Sequence, residues 1–164
     1  MYAQTVPFLL RNLGSISKIL AKAEAFCDAR KLDKAVVLSM RIYPDMLTLT
    51  RQVQIMTDHA KGAAARLGNV EVPQYADEEI TFEELQARIT KITAFIRSLD
   101  PKGFEGADKR VIKMKLGPQE IELSGADYLN GVALPNHYFH MTTAYNLVRG
   151  LGVELGKGDF LGRS

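Results

Sequence analysis

Cysteine occurs once in this chain, at Cys27, which excludes an internal disulfide and fits a reducing, cytosolic setting. An excess of either charge sign is also missing, since 21 Lys and Arg face 19 Asp and Glu for a formal net charge of +2. That near-balance leaves no electrostatic footprint for nucleic acid. No apolar run is long enough to span a bilayer, and Met1-Tyr2-Ala3-Gln4-Thr5 has neither the basic start nor the cleavage site of a signal peptide. No membrane partner is expected, and the expected location is the cytoplasm. Equally absent are a phosphate-binding loop, a Cys-x-x-Cys pair and a Ser-His-Asp arrangement. Histidine is scarce, with His59, His137 and His140 as the full set.

What is present reads as an ordinary globular domain, 46% hydrophobic and 24% charged. At 164 residues the chain is expected to form one domain, residues 1–164. Its strongest pattern is an apolar repeat of alternating three- and four-residue steps in four segments. The first runs Val6, Leu9, Leu13, Ile16, Leu20, Ala23, Cys27, and the second Met46, Leu49, Val53, Met56, Ala60, Ala63, Leu67. The third is Phe82, Leu85, Ile89, Ile92, Ile96, Leu99, and the fourth Leu134, His137, Met141, Ala144, Val148, Leu151. Each set forms one stripe of a helix that must be buried against other helices. The fold class is therefore all-α, a four-helix bundle with helices near residues 5–28, 45–67, 82–99 and 135–151.

Local signals refine this reading. Pro7 and Pro44-Asp45 are placed at the starts of the first two helices, where a missing N–H costs nothing. Gly68-Asn69 stops the second helix, and Thr81 with Glu84 forms a capping box for the third. Pro135 either begins the fourth helix or kinks a longer helix that starts near Ala126, and Asn130-Gly131 favours a break there. Residues 30–43 form a long crossover carrying a short helix around Ala35 to Met40. Ahead of the last helix, Val111 to Leu116 and Glu120 to Leu123 alternate about Gly117-Pro118-Gln119, which predicts a small β-hairpin. Ile112, Met114 and Leu116 fall on one face, and Lys113 and Lys115 on the other pair with Glu120 and Glu122. The glycine-rich tail from Gly150 is not expected to be helical, although Leu155, Phe160 and Leu161 give it surface with which to dock.

The histidines are where chemistry would reside, because imidazoles on facing helices of a bundle can converge and bind a metal. His137 falls in the middle of its stripe, whereas His140 and His59 lie on the flanks of theirs. Cys27, at a stripe position, reads as a small hydrophobe and not as a nucleophile. Tyr43, Tyr138 and Tyr145 read as packing residues, and Gly62-Ala63-Ala64-Ala65 as a surface for close helix approach. Asp58 and Asp45 are either orienting partners of His59 or surface carboxylates.

Pro135-Asn136-His137-Tyr138-Phe139-His140-Met141-Thr142-Thr143-Ala144-Tyr145 and Gly156-Lys157-Gly158-Asp159-Phe160-Leu161-Gly162 resemble a specific bacterial family. It is number nineteen ninety-three among the domains of unknown function, in the DinB/YfiT-like superfamily of metalloenzyme-type proteins. Pro44-Asp45-Met46 through Thr57-Asp58-His59-Ala60-Lys61-Gly62-Ala63 resembles that family's second helix, and the match covers essentially the whole chain. The resemblance implies a DinB/YfiT-like four-helix bundle with a long crossover. It also implies a divalent metal, zinc or nickel, held by one histidine of helix two and a His-x-x-x-His pair of the last helix, with small-molecule or thiol substrates. By position His59 matches the first ligand and His140 the last, but Asn136 stands where the first histidine of the pair is expected, and His137 is one residue out of register.

Three ligand sets follow: His59, His140 and His137; His59, His140 and Asn136; or no metal at all, with His137 bonded in the core to a partner such as Tyr145 or Thr143. Two functions stay open beside them. One is a divalent-metal-dependent enzyme of the thiol-transferase kind. The other is a non-catalytic bundle acting through self-association or a partner. A homodimer is expected from Tyr2, Phe8 and Leu10, which fall off the first stripe, unless the tail covers them.

Overall fold

The four apolar stripes lie on helices, except for Met46, Leu99 and Leu151 just beyond the helix ends. A computed structural model describes residues 1–163 and, for Leu116, the backbone alone. The chain runs through α1 (Tyr2–Arg30), α2 (Lys34–Leu38), α3 (Leu49–Leu67) and α4 (Phe82–Arg97) to a hairpin of β1 (Val111–Leu116) and β2 (Gln119–Ser124). It closes with α5 (Gly125–Tyr128), α6 (Leu134–Gly150) and α7 (Lys157–Phe160). Helix α3 packs on α6 and α4, and α1 packs on α4 and α6, so the long helices form the bundle. Residues of α3 meet α6 in reversed order, Gln52 with His140 and Met56 with His137, which makes this pair antiparallel. Leu13, Ile16, Leu20, Val53, Met56, Leu67, Leu85, Ile92, Ile96, Met141 and Ala144 have no exposed surface. Each large side chain buried this way is worth roughly 1.5–3 kcal/mol. No helix among the described residues is long and apolar enough to cross a membrane.

Boundaries depart from the sequence reading at several points, each for a local reason. Helix α1 begins at Tyr2, so Pro7 lies inside it and not in its first turn. Helix α3 begins at Leu49, where Thr48 caps it by accepting from the Arg51 N–H. Pro44-Asp45 instead occupies the centre of a turn closed by the Met46 N–H on the Tyr43 carbonyl at 2.9 Å. Proline's fixed φ and missing N–H suit that turn position as well as a helix start. The stop of α3 is as predicted in kind, with Asn69 at φ 58°, whereas Gly68 keeps a negative φ. The capping box is present in full, with Thr81 Oγ1 accepting from the Glu84 N–H and Glu84 accepting from the Thr81 N–H.

The expected break before Pro135 does not occur. Backbone from Gly125 to Gly150 stays helical by widening into a π-turn at Leu129–Ala133. Single π-turns of this kind occur as insertions within α-helices. The Asn130 amide donates to the Ala126 carbonyl at 3.0 Å and the Asn136 amide to the Val132 carbonyl at 2.7 Å. Both bonds run from an asparagine side chain to the carbonyl one turn back.

The hairpin has the expected register, pairing Lys113 with Glu122 and Lys115 with Glu120, and Lys113 Nζ reaches Glu122 at 2.6 Å. Ile112 is buried and Met114 half-buried on the opposite face, while the side chain of Leu116 lies outside the described residues. The tail does form one helical turn, α7, in spite of its glycines. It docks on α1 through Lys22 and Asp159 at 2.6 Å, and Phe160 meets Tyr145 edge-on. Between α3 and α4, residues 68–81 are irregular and are tied down by Arg88. The Arg88 side chain is 1% exposed and reaches Asp58 at 2.8 Å, Asp77 and Glu79 at 3.0 Å, and Thr57 Oγ1 at 2.9 Å.

Candidate functional site

Heptad geometry on α3 places Gln52, His59 and Arg66 seven residues apart, one position ahead of stripe residues Val53, Ala60 and Leu67. They therefore follow one edge of the helix. Across from them on α6, His140 lies one turn above Asn136 and three residues from His137. The two flank histidines meet: the rings of His59 and His140 lie nearly parallel, 13° apart in plane, with centroids separated by 6.0 Å.

The hydrogen bonds assign each ring a role. Gln52 uses its amide N–H₂ on the Leu47 carbonyl, which turns its Oε1 toward His140 at 2.7 Å. His140 Nδ1–H therefore donates to Gln52, and its Nε2 lone pair is left available. Anchoring one ring nitrogen in order to present the other is how proteins orient an imidazole ligand. His59 is half-buried, and neither its ring nor His140 Nε2 has a hydrogen-bond partner among the described residues. Burial, followed by the neighbouring His59, lowers His140 to about 4. His59 is also lowered, by burial and by Arg66, against the Asp58 carboxylate. Both imidazoles are consequently neutral at pH 7, the form that donates to a metal or accepts a proton.

His137 is committed elsewhere. Its Nδ1–H donates to the Met56 carbonyl at 3.0 Å, and its Nε2 accepts from the Asn12 amide at 3.1 Å. With both nitrogens bonded and no exposed surface, it is a core histidine. Its partners are Asn12 and Met56, not Tyr145 or Thr143 as the sequence suggested. Asn136 is half-buried with its amide nitrogen used on Val132, so only its Oδ1 is left to give. Among the described residues no three His, Cys, Asp or Glu side chains converge as a metal-binding group. The donors thus fit a site with two imidazoles and open positions, not a closed three-histidine centre.

Around this pair the other sequence candidates fall into place. Asp58 binds Lys61 and Arg88, at 2.7 and 2.8 Å, and does not hold His59. Asp45 and Tyr43 are exposed in the crossover turn. Tyr138 packs edge-on against His137, and Tyr145 against Phe160. Cys27 is fully buried, and burial followed by Asp28 pushes its thiol up, away from nucleophilic character. Ala63, Ala64 and Ala65 are core residues, but Gly62 serves a different end, since Arg66 lies over it. A cleft of about 280 Å³ opens beside His59, lined by Asp58, Lys61, Gly62, Arg66, Gln74 and Tyr128 among others.

Comparison with known proteins agrees with this architecture. The family described as Domain of unknown function (DUF1993) matches residues 1–161. This chain belongs to DUF1993. A crystal structure of a DinB family member protein from Shewanella denitrificans, at 1.83 Å resolution, matches with a TM-score of 0.89 at 36% sequence identity. The match covers 98% of this chain and 90% of that one, so the DUF1993 chain is a DinB-like protein in family as well as in fold. No curated protein matches it.

Proposed function

We propose that this DUF1993 protein binds a divalent cation, zinc or nickel, between His59 and His140, and acts as a metal-dependent enzyme on a small molecule of the thiol class. One observation carries the reading: two neutral imidazoles from facing helices meet at 6.0 Å beside a cleft, and Gln52 aims the open nitrogen of one of them. Metal–imidazole bonds are about 2.0–2.1 Å and lie in the ring plane, so an ion shared by both rings requires the free nitrogens of His59 and His140 to turn toward one point. A bound divalent ion would lower the pKa of a thiol or water and so supply a nucleophile at neutral pH. The chain's own part is to hold both imidazoles deprotonated, to fix the His140 tautomer through Gln52, and to leave the remaining positions to ligands from outside. With two protein ligands, affinity is expected to be lower than in a three-histidine site.

Metal analysis and zinc calorimetry on protein purified without an affinity tag test this reading. One equivalent bound by the parent, and none by His59→Ala or His140→Ala, is the expected result. His137→Gln should leave stoichiometry unchanged if it remains folded. A second reading, a non-catalytic bundle acting by association, is favoured by the lack of a third convergent ligand among the described residues. Failure of the parent to bind zinc or nickel above the His59→Ala background would decide for it.

A further inference from the structure

We propose that Arg66 is the anchor for a small organic carboxylate, held in the cleft with its other end at His59. This rests on the reading of His59 and His140 as the functional centre and names the class of molecule that reaches it. Arg66 and His59 lie on the same edge of α3, seven residues apart, and line the same cleft. No carboxylate lies within ion-pair distance of Arg66 among the described residues. Its hydrogen-bond partner is neutral, the Tyr128 hydroxyl oxygen at 3.2 Å, and the guanidinium stands 5.6 Å from the centre of the Tyr128 ring. Arg88, on α4, is by contrast surrounded by Asp58, Asp77 and Glu79. Lys61 shares Asp58 with Arg88, which leaves Arg66 as the uncompensated cation of the cleft.

The position of that charge is built in. A side chain at residue 62 would place its Cβ 2.5 Å from Arg66 Nη1, so the guanidinium lies directly over Gly62, one turn back toward His59. Tyr128 accepts one Arg66 N–H, keeps its own O–H to donate, and lines the same cleft. A guanidinium has four further N–H donors in a planar fork that matches the two oxygens of a carboxylate. The cleft, at about 280 Å³, falls just below the usual range of ligand-site volumes, about 300–1,000 Å³, so the molecule is small.

Succinate serves as the probe, with uncharged succinamide and inorganic phosphate as controls, titrated to ~50 mM, well beyond millimolar affinity. The readout is the imidazole carbon-bound proton resonances of His59 and His140 by NMR. A saturable shift of His59 with succinate, absent with succinamide, is expected. Arg66→Gln should weaken it at least roughly tenfold, the effect of losing about 1.4 kcal/mol. Gly62→Ala, which retains the charge but displaces the guanidinium, should weaken it too. Arg66→Lys should recover part of the loss, and far-UV circular dichroism of each variant checks folding. Succinate that shifts nothing, that binds Arg66→Gln as tightly as the parent, or that is surpassed by phosphate alone overturns the carboxylate anchor. Zinc uptake separates the two readings: Arg66→Gln with parental zinc binding loses only this one, whereas parental succinate binding in a protein that takes up no metal loses only the metal site.

Discussion

Lowering the pH drives a second proton onto a neutral imidazole in the middle of this bundle, and the cost can be worked from the structure. His137 has no exposed surface, and burial pushes it from the ordinary 6.5 down to about 4, with the Met56 carbonyl opposing and the other two histidines adding to the fall. The unfolded chain takes up a proton near pH 6.5, while the folded chain resists until about pH 4. Between those values the unfolded state binds more protons, so stability rises with pH across this window and is lost as pH falls through it. For His137 alone the loss is about 2 kcal/mol by pH 5 and about 3 kcal/mol by pH 4. Urea unfolding followed by far-UV circular dichroism, at intervals from about pH 7 to about pH 4, measures the total slope. His137→Gln isolates the share, because glutamine can donate to Met56 and accept from Asn12 but does not titrate in this range. The variant will be less stable near pH 7, yet should lose about 2–3 kcal/mol less than the parent on acidification. Parallel pH profiles for parent and variant would show that His137 is not held neutral, and the assignment of both its hydrogen bonds would fall with it.

Other perturbations probe different layers. Leu20→Ala and Ile92→Ala each remove a side chain with no exposed surface and should cost about 2–5 kcal/mol in the same urea assay. A value within error of the parent for either would deny that residue its place in the stripe. Arg88→Met leaves Asp77, Glu79 and Asp58 without their shared cation and should cost about 3–5 kcal/mol. Limited proteolysis should then cut first within residues 68–81, and unchanged cleavage there would refute the pinning role. We also expect a two-fold homodimer through the apolar start of α1, where Phe8 remains 42% exposed. Tyr2 packs instead against Phe104, and the tail seats Gly162 beside Arg11 and Ser15, so the free patch is smaller than the sequence implied. Light scattering at high micromolar concentration that reports a monomer would count against the dimer.

Periodicity made the four bundle helices legible because burial selects apolar residues and little else at stripe positions. It located α4 to within two residues, since the Thr81–Glu84 box marks its start independently. It misplaced the start of α3 because Pro44-Asp45 suits a turn and a helix end equally, and nothing local separates them. The continuous helix through Pro135 was legible only as the less favoured alternative to a break. It runs through a π-turn at Leu129–Ala133, whereas Asn130-Gly131 followed by Pro135 favoured a break. Docking of the tail was suggested by Phe160 and Leu161, but its seat on α1 depends on the long-range pair of Lys22 and Asp159.

The site follows the same division between periodic and tertiary information. Three residues along a helix turn through about 300°, so His137 and His140 point about 60° apart. That rotation, visible in the sequence, sends one ring into the core and the other to the edge where α3 carries His59. Less visible were the partners: Asn12 is 125 residues from His137 and Gln52 is 88 from His140, distances at which no pattern operates. The line of Gln52, His59 and Arg66 was written in the sequence at seven-residue spacing, but polar residues beside an apolar stripe are usually solvated, and only the fold shows these three lining one edge. Of the two third-ligand alternatives, the hydrogen bonds remove His137, both of whose nitrogens are used, and restrict Asn136 to its Oδ1. Any ion between His59 and His140 must therefore complete its shell with that single amide oxygen, with water or with the ligand itself. A centre so open depends on its ligand for occupancy, which is the physical reason to look for the group that holds the ligand's other end.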